Sequence, residues 1–148
     1  MTGLLELAEQ VEAATGPDRE LDCLIAVAAL GFFEVAPRWE GGPIGYGYIN
    51  KDGERIEPGH GGDQLVRKFT ASLDAAMTLV PEGVGAEILT IDLRRANLGS
   101  GIIWHRAVLT DTLNGDFWRA DKAASFALAL VEAALRSRAA LVDKVSEI

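Results

Sequence analysis

Apolar residues recur at helical spacing near the start of the chain: Leu4, Leu5, Leu7, Ala8 and Val11 fall to one side, Glu6, Glu9 and Gln10 to the other. That pattern predicts a short amphipathic helix. Thr15-Gly16-Pro17-Asp18 then closes it and opens a second. Thr15 is a capping residue, Pro17 has the φ angle of a first helical turn, and Asp18 and Glu20 suit the positive end of the helix dipole. The second helix, roughly 17–30, is nearly apolar from Leu21 to Leu30 and is expected in the core; Gly31 ends it.

Residues 32–62 change character, with Phe32, Phe33, Trp39, Tyr46 and Tyr48 set among recurring glycines. Pro43 to Ile49 reads as a strand, Asn50-Lys51-Asp52-Gly53 as its turn and Glu54-Arg55-Ile56 as the return. Gly59-His60-Gly61-Gly62 reads as a loop. A third helix starts from a Thr70 or Ser72 cap, runs through Leu73, Ala76, Met77 and Val80, and breaks at Pro81-Glu82-Gly83. Val84–Leu93 and Gly101–Thr110 are β-rich runs joined by Arg94–Ser100 as a hairpin, followed by turns at Asp111-Thr112 and Asn114-Gly115. Asp121 is then expected to cap a long final helix with Ala124, Leu128, Val131, Leu135, Val142 and Val145 on one face.

The order helix, helix, hairpin, helix, hairpin, helix predicts one α+β domain over residues 1–148. Two hairpins give it a mainly antiparallel sheet of about four strands, and the glycine- and aromatic-rich stretch at about 40–62 reads as an insertion. With 49% of its 148 residues apolar, such a chain can build its core without disulfide or metal. Charge narrows the partners. Fourteen Lys and Arg against 22 Asp and Glu leave −8, and the basic residues stand singly or in pairs, so neither nucleic acid nor an anionic membrane is expected as partner. Cys23 is the sole cysteine, which excludes an internal disulfide and any CxxC site; its apolar neighbours make it a small core residue. No positive segment opens the chain and no apolar run spans a bilayer, so the expectation is a soluble cytoplasmic protein.

The segment Phe69-Thr70-Ala71-Ser72-Leu73-Asp74-Ala75-Ala76-Met77-Thr78-Leu79-Val80-Pro81-Glu82-Gly83 carries a resemblance, together with Gly16–Asp22 and the run Ala127–Arg138. These stretches resemble the phage ABA sandwich family of small bacteriophage and prophage proteins, over roughly residues 4–140, with Ser72-Leu73-Asp74 as the most specific part. The resemblance implies a helix–sheet–helix sandwich of phage origin and a place in the host bacterial cytoplasm. It transfers no catalytic residue. Glu40–Gly62 departs from the pattern.

Motifs for known chemistry are missing. There is no GxxxxGK[ST]; Gly45-Tyr46-Gly47-Tyr48-Ile49-Asn50 lacks the third glycine of a dinucleotide loop; Gly99-Ser100-Gly101 is not a nucleophile elbow. His60, His105 and Asp63 lack metal-ligand spacing, so no metal and no cofactor are expected. One constellation stands out. Period two puts Trp104 and Arg106 on one face of the 101–109 strand, with His105 on the other, and Phe117-Trp118-Arg119 repeats the aromatic–Arg pairing. A ring beside a guanidinium can stack a base and pair a phosphate. Trp39, Tyr46 and Tyr48 add aromatic planes, and with Trp104, Arg106, Trp118 and Arg119 they form the candidate ligand-binding set. The alternative is that the tryptophans fill the core while the arginines reach solvent.

The leading expectation is a phage-encoded, non-catalytic binding protein that sequesters a small nucleotide immune signal of a bacterial defence system, with homo-oligomerisation left open. The alternatives are a virion or host-protein interaction module, and a hydrolase of a small phosphorylated substrate.

Overall fold

The computed structural model describes residues 3–35, 45–50, 52–56, 66–92, 103–111 and 115–146. In chain order the elements are α1 (Leu4–Ala13), α2 (Arg19–Leu30), β1 (Phe33–Val35), β2 (Gly45–Ile49), β3 (Arg55–Ile56), α3 (Leu73–Met77), β4 (Val84–Asp92), β5 (Ile103–Asp111), β6 (Phe117–Ala123) and α4 (Phe126–Ser146). The protein is mixed α and β. Its strands pair antiparallel in two sheets, β1-β2-β3 and β4-β5-β6. No helix among the described residues is long and apolar enough to cross a membrane.

Side-chain chemistry sets the helix ends. Asp18, not Thr15, caps α2: its carboxylate accepts the N–H groups of Glu20 and Leu21 at 2.9 and 3.2 Å. Gly31, at φ 75°, closes the helix in the left-handed conformation a side chain would strain, and Phe32 N–H returns to the Ala26 carbonyl. Ser72 caps α3 through Ala75 N–H, but α3 stops at Met77, short of Val80. The buried face of α2 is Leu21, Asp22, Ile25 and Ala26, whereas Cys23 and Leu24 are half-buried beside the core. The helix is therefore embedded along one stripe only.

Asp121 requires a correction: it lies inside β6 and does not cap α4. Asp111 N–H bonds to the Asp116 carbonyl and Gly115 N–H to Asp111, both at 2.8 Å, with Gly115 at φ 76°. This turn reverses the chain into a strand. Ser125 takes the capping role, its Oγ accepting Leu128 N–H at 3.2 Å. β1 is likewise a strand the hydrophobic pattern does not announce.

The β5–β6 register sets which residues face the core. Leu109 pairs with Trp118 and Ala107 with Ala120, and Leu109, Ala107 and Ala120 are fully buried. Between the Ala107–Ala120 and His105–Ala123 pairs, β6 has two residues, Asp121 and Lys122, opposite the single Arg106. That extra residue is a β-bulge on an edge strand, the kind of irregularity that re-aims side chains.

The core centres on α4, which packs against β5 and β6 and also against α1 and α3. From Ala127 to Leu135 every residue is buried, including Glu132 at 3% exposure. Alanines at 127, 129, 133 and 134 let its neighbours approach closely.

Candidate functional site

The β6 bulge builds the site. Arg106 of β5 places Nε 2.7 Å from Oδ1 of Asp121, and Arg119 Nε lies 3.9 Å from the other carboxylate oxygen. Lys122, the second bulge residue, is exposed at the edge of the strand. Facing them from α4 is Glu132, whose Oε2 accepts from Arg136 Nε at 3.0 Å while Arg136 Nη2 reaches Glu12 of α1 at 3.1 Å. Glu12, Arg119, Asp121, Lys122, Glu132 and Arg136 border one cleft of about 200 Å³.

Glu132 is the unusual member. Its Oε1 is buried and has no hydrogen-bond partner. Burial pushes its carboxyl up to about 7, the Arg136 hydrogen bond and charge pull it back, and the negative charges of Glu12 and Asp121 push it further up. Near neutral pH it is therefore only partly ionised, while Arg106 already balances Asp121. Arg119, Lys122 and Arg136 then outweigh the ionised carboxylates around the cleft, a local positive surplus on a chain whose formal net charge is −8. A small anion is what such a setting attracts.

The structure brings together only part of the set expected from sequence. Arg106 and Arg119 converge on Asp121. Trp118 does not join them: it pairs with buried Leu109 and packs half-buried against the core, while its neighbour Arg119 is 52% exposed. Adjacent strand residues point to opposite faces, which separates the two. The ring near Arg119 is instead Phe117, 5.7 Å from the guanidinium and 59% exposed. Tyr48 lies in β2, 6.1 Å from the Phe32 ring. Trp39 lies outside the described residues, as do the side chains of Tyr46 and Trp104, whose backbones pair with Glu34 and Ile91.

His105 faces the core, its ring edge-on to Phe126 at 4.5 Å. His60 and Asp63 lie outside the described residues, and among those described no group of three or more His, Cys, Asp or Glu could hold a metal. Sequence reasoning missed Glu12, Asp121, Lys122, Glu132 and Arg136. One signal was present: Glu132 is the lone charge in the otherwise apolar run from Phe126 to Leu135. Comparison with protein-family models, with curated proteins and with solved structures finds no match.

Proposed function

We propose that the protein is a non-catalytic binder of a small anionic molecule, with a nucleotide-derived ligand as the class that fits best. The observation that carries this reading is the cleft where Arg119, Lys122 and Arg136 surround a partly neutral, half-unpaired Glu132. A cleft of about 200 Å³ suits a phosphate or pyrophosphate group more than a whole nucleotide. The base belongs outside it, on the exposed ring of Phe117, two residues or about 7 Å along β6 from Arg119. Stacking then supplies the affinity that the acidic chain denies to long-range attraction, which salt screens within about 8–10 Å.

The resemblance to phage proteins extends the proposal: the ligand is a bacterial defence signal sequestered in the host cytoplasm. In the same reading the fold is a helix–sheet–helix sandwich.

A thermal-shift titration with cyclic dinucleotides, ADP-ribose derivatives and inorganic phosphate tests the site. Ligand at 100 Kd should stabilise the protein by about 2.7 kcal/mol. Arg119→Ala and Phe117→Ala, both at exposed positions, should keep the fold and weaken binding at least about tenfold, the value of one charge-assisted contact. Unshifted melting with every compound, or variants that bind as the parent does, would reject it.

Glu132 also favours a second reading, hydrolysis of a small phosphorylated substrate. A carboxyl held near pKa 7, with Asp121 across the same cleft, is a suitable proton donor to a leaving oxygen. Turnover of a phosphodiester by the parent protein but not by Glu132→Gln would establish it in place of simple binding.

A further inference from the structure

A larger concavity lies away from β6, between α1, α2 and the C-terminal half of α4. It measures about 380 Å³ and is bordered by Leu4, Ala28, Ala29, Pro81, Leu141 and Val142, with Arg138 as the one charged residue among the described lining. Arg138 is half-buried there. Its Nε donates to the Leu79 carbonyl at 2.6 Å and its Nη1 to the Ala29 carbonyl at 3.2 Å. These two bonds fix the plane of the guanidinium, and among the described residues no acceptor takes Nη2. No carboxylate among the described residues forms an ion pair with it, although the chain has 22 acidic residues. Burial also lowers the basicity of Arg138, as expected for a cation losing water without gaining a counter-ion.

The combination has a chemical meaning. A mostly apolar pocket of this size, with one oriented polar group, is the usual form of a small-molecule site. A preoriented guanidinium with N–H groups that no described residue takes up matches a carboxylate or similar oxyanion, and the aliphatic wall matches a hydrocarbon chain. We propose that this pocket binds a small amphiphile: an aliphatic chain ending in a single carboxylate, with a medium-chain fatty acid as the simplest example. The carboxylate meets Nη2 of Arg138, and the chain lies along Leu4, Ala28, Pro81 and Leu141. The site is independent of the β6 cleft and does not rest on the function proposed there.

Displacement of a fluorescent fatty-acid probe from the full chain tests this, with dodecanoate, dodecanol and dodecyltrimethylammonium as competitors below their micelle concentrations. Dodecanoate should compete at least about tenfold better than the alcohol, and the cationic amphiphile should compete worst. Val142→Trp, at a position 57% exposed, should block the mouth and weaken dodecanoate at least about tenfold while the protein stays folded. Arg138→Gln should abolish the preference for carboxylate over alcohol, whereas Arg119→Ala should bind dodecanoate as the parent does. Equal competition by acid and alcohol, failure of dodecanoate to displace the probe, or undiminished binding by Val142→Trp overturns the proposal.

Discussion

Thr70 donates both its backbone N–H and its hydroxyl to one oxygen of Asp22, each at 2.8 Å, and both residues are 1% exposed. The hydroxyl oxygen in turn accepts Asp18 N–H at 2.8 Å, and the second Asp22 oxygen takes Arg19 Nη1 at 3.0 Å. Arg19 continues to the carbonyls of Val66 and Arg67. The first turn of α2 is thereby tied to the chain entering α3, over a separation of 48 residues.

Thr70→Val keeps the shape but removes a hydrogen bond to a buried carboxylate. It should lower unfolding stability by about 1.5–3 kcal/mol, read from urea midpoints, while Thr70→Ser should recover most of the loss. An unchanged Thr70→Val midpoint would mean that Asp22 is satisfied by Arg19 and the backbone alone.

Core position, more than residue type, should govern truncations in α2. Ile25 is fully buried, whereas Leu24 is only partly covered. Ile25→Ala should cost about 2–5 kcal/mol through the cavity it leaves, and Leu24→Ala distinctly less. The reverse order would mean that the helix is turned about its axis.

Glu132 should give stability a pH dependence of unusual sign. A carboxyl pushed from 4.5 to about 7 in the folded protein binds its proton more tightly there than in the unfolded chain. Its contribution is therefore full below about pH 4.5 and is lost as pH rises toward and through 7. The loss should be roughly 1–3 kcal/mol, moderated by Arg136 on its own helix, Glu12 from α1, and Arg119, Asp121 and Lys122 from β6. Denaturant melts of the parent and Glu132→Gln at pH 5 and pH 8 isolate it: the variant should lose less on going to pH 8. Parallel profiles would remove Glu132 as the source.

In the small sheet, a Cβ on Gly47 would lie 2.5 Å from Cζ of Phe33 and 2.6 Å from the carbonyl oxygen of Ile56. The Phe33 ring is also covered by the Arg55 guanidinium at 3.9 Å, so it has little room to retreat. Gly47→Ala should cost about 1–3 kcal/mol by overpacking. Amide exchange should quicken in β1–β3 and stay slow in β5 and β6; unchanged exchange at Phe33 and Tyr48 would contradict the packing.

The helices were legible because their signals are local. Apolar spacing at Leu4–Val11, the glycine at position 31 and the serine at position 72 each act within a few residues. β6 was not, because its inward residues include the small Ala120 and Ala123 and the bulge at Asp121-Lys122 breaks the two-residue period. An aspartate just before an apolar helix then imitates a cap. The candidate site was legible in part, since strand alternation predicted that Arg106 faces away from His105. Its remaining members meet only through packing: Glu12 and Arg136 are 124 residues apart and nothing local pairs them. Trp118 was misleading for the same reason, because only the pairing with Leu109 reveals that its ring covers the core.

The central place of α4 has a consequence for how the protein is made. The helix that α1, α3, β5 and β6 all pack against is the last of them in chain order. At about 5–20 residues per second, roughly 5–20 s of synthesis separate the end of α2 from Leu135. During that interval α1 has α2 and, once it is made, β6 to pack on, and most of the inner face of β5 and β6 is uncovered. Assembly is then a single late event, and a chain stopped before Leu135 should lose the whole core rather than one corner of it. Until α4 is made, the apolar faces that it covers stay open to other contacts.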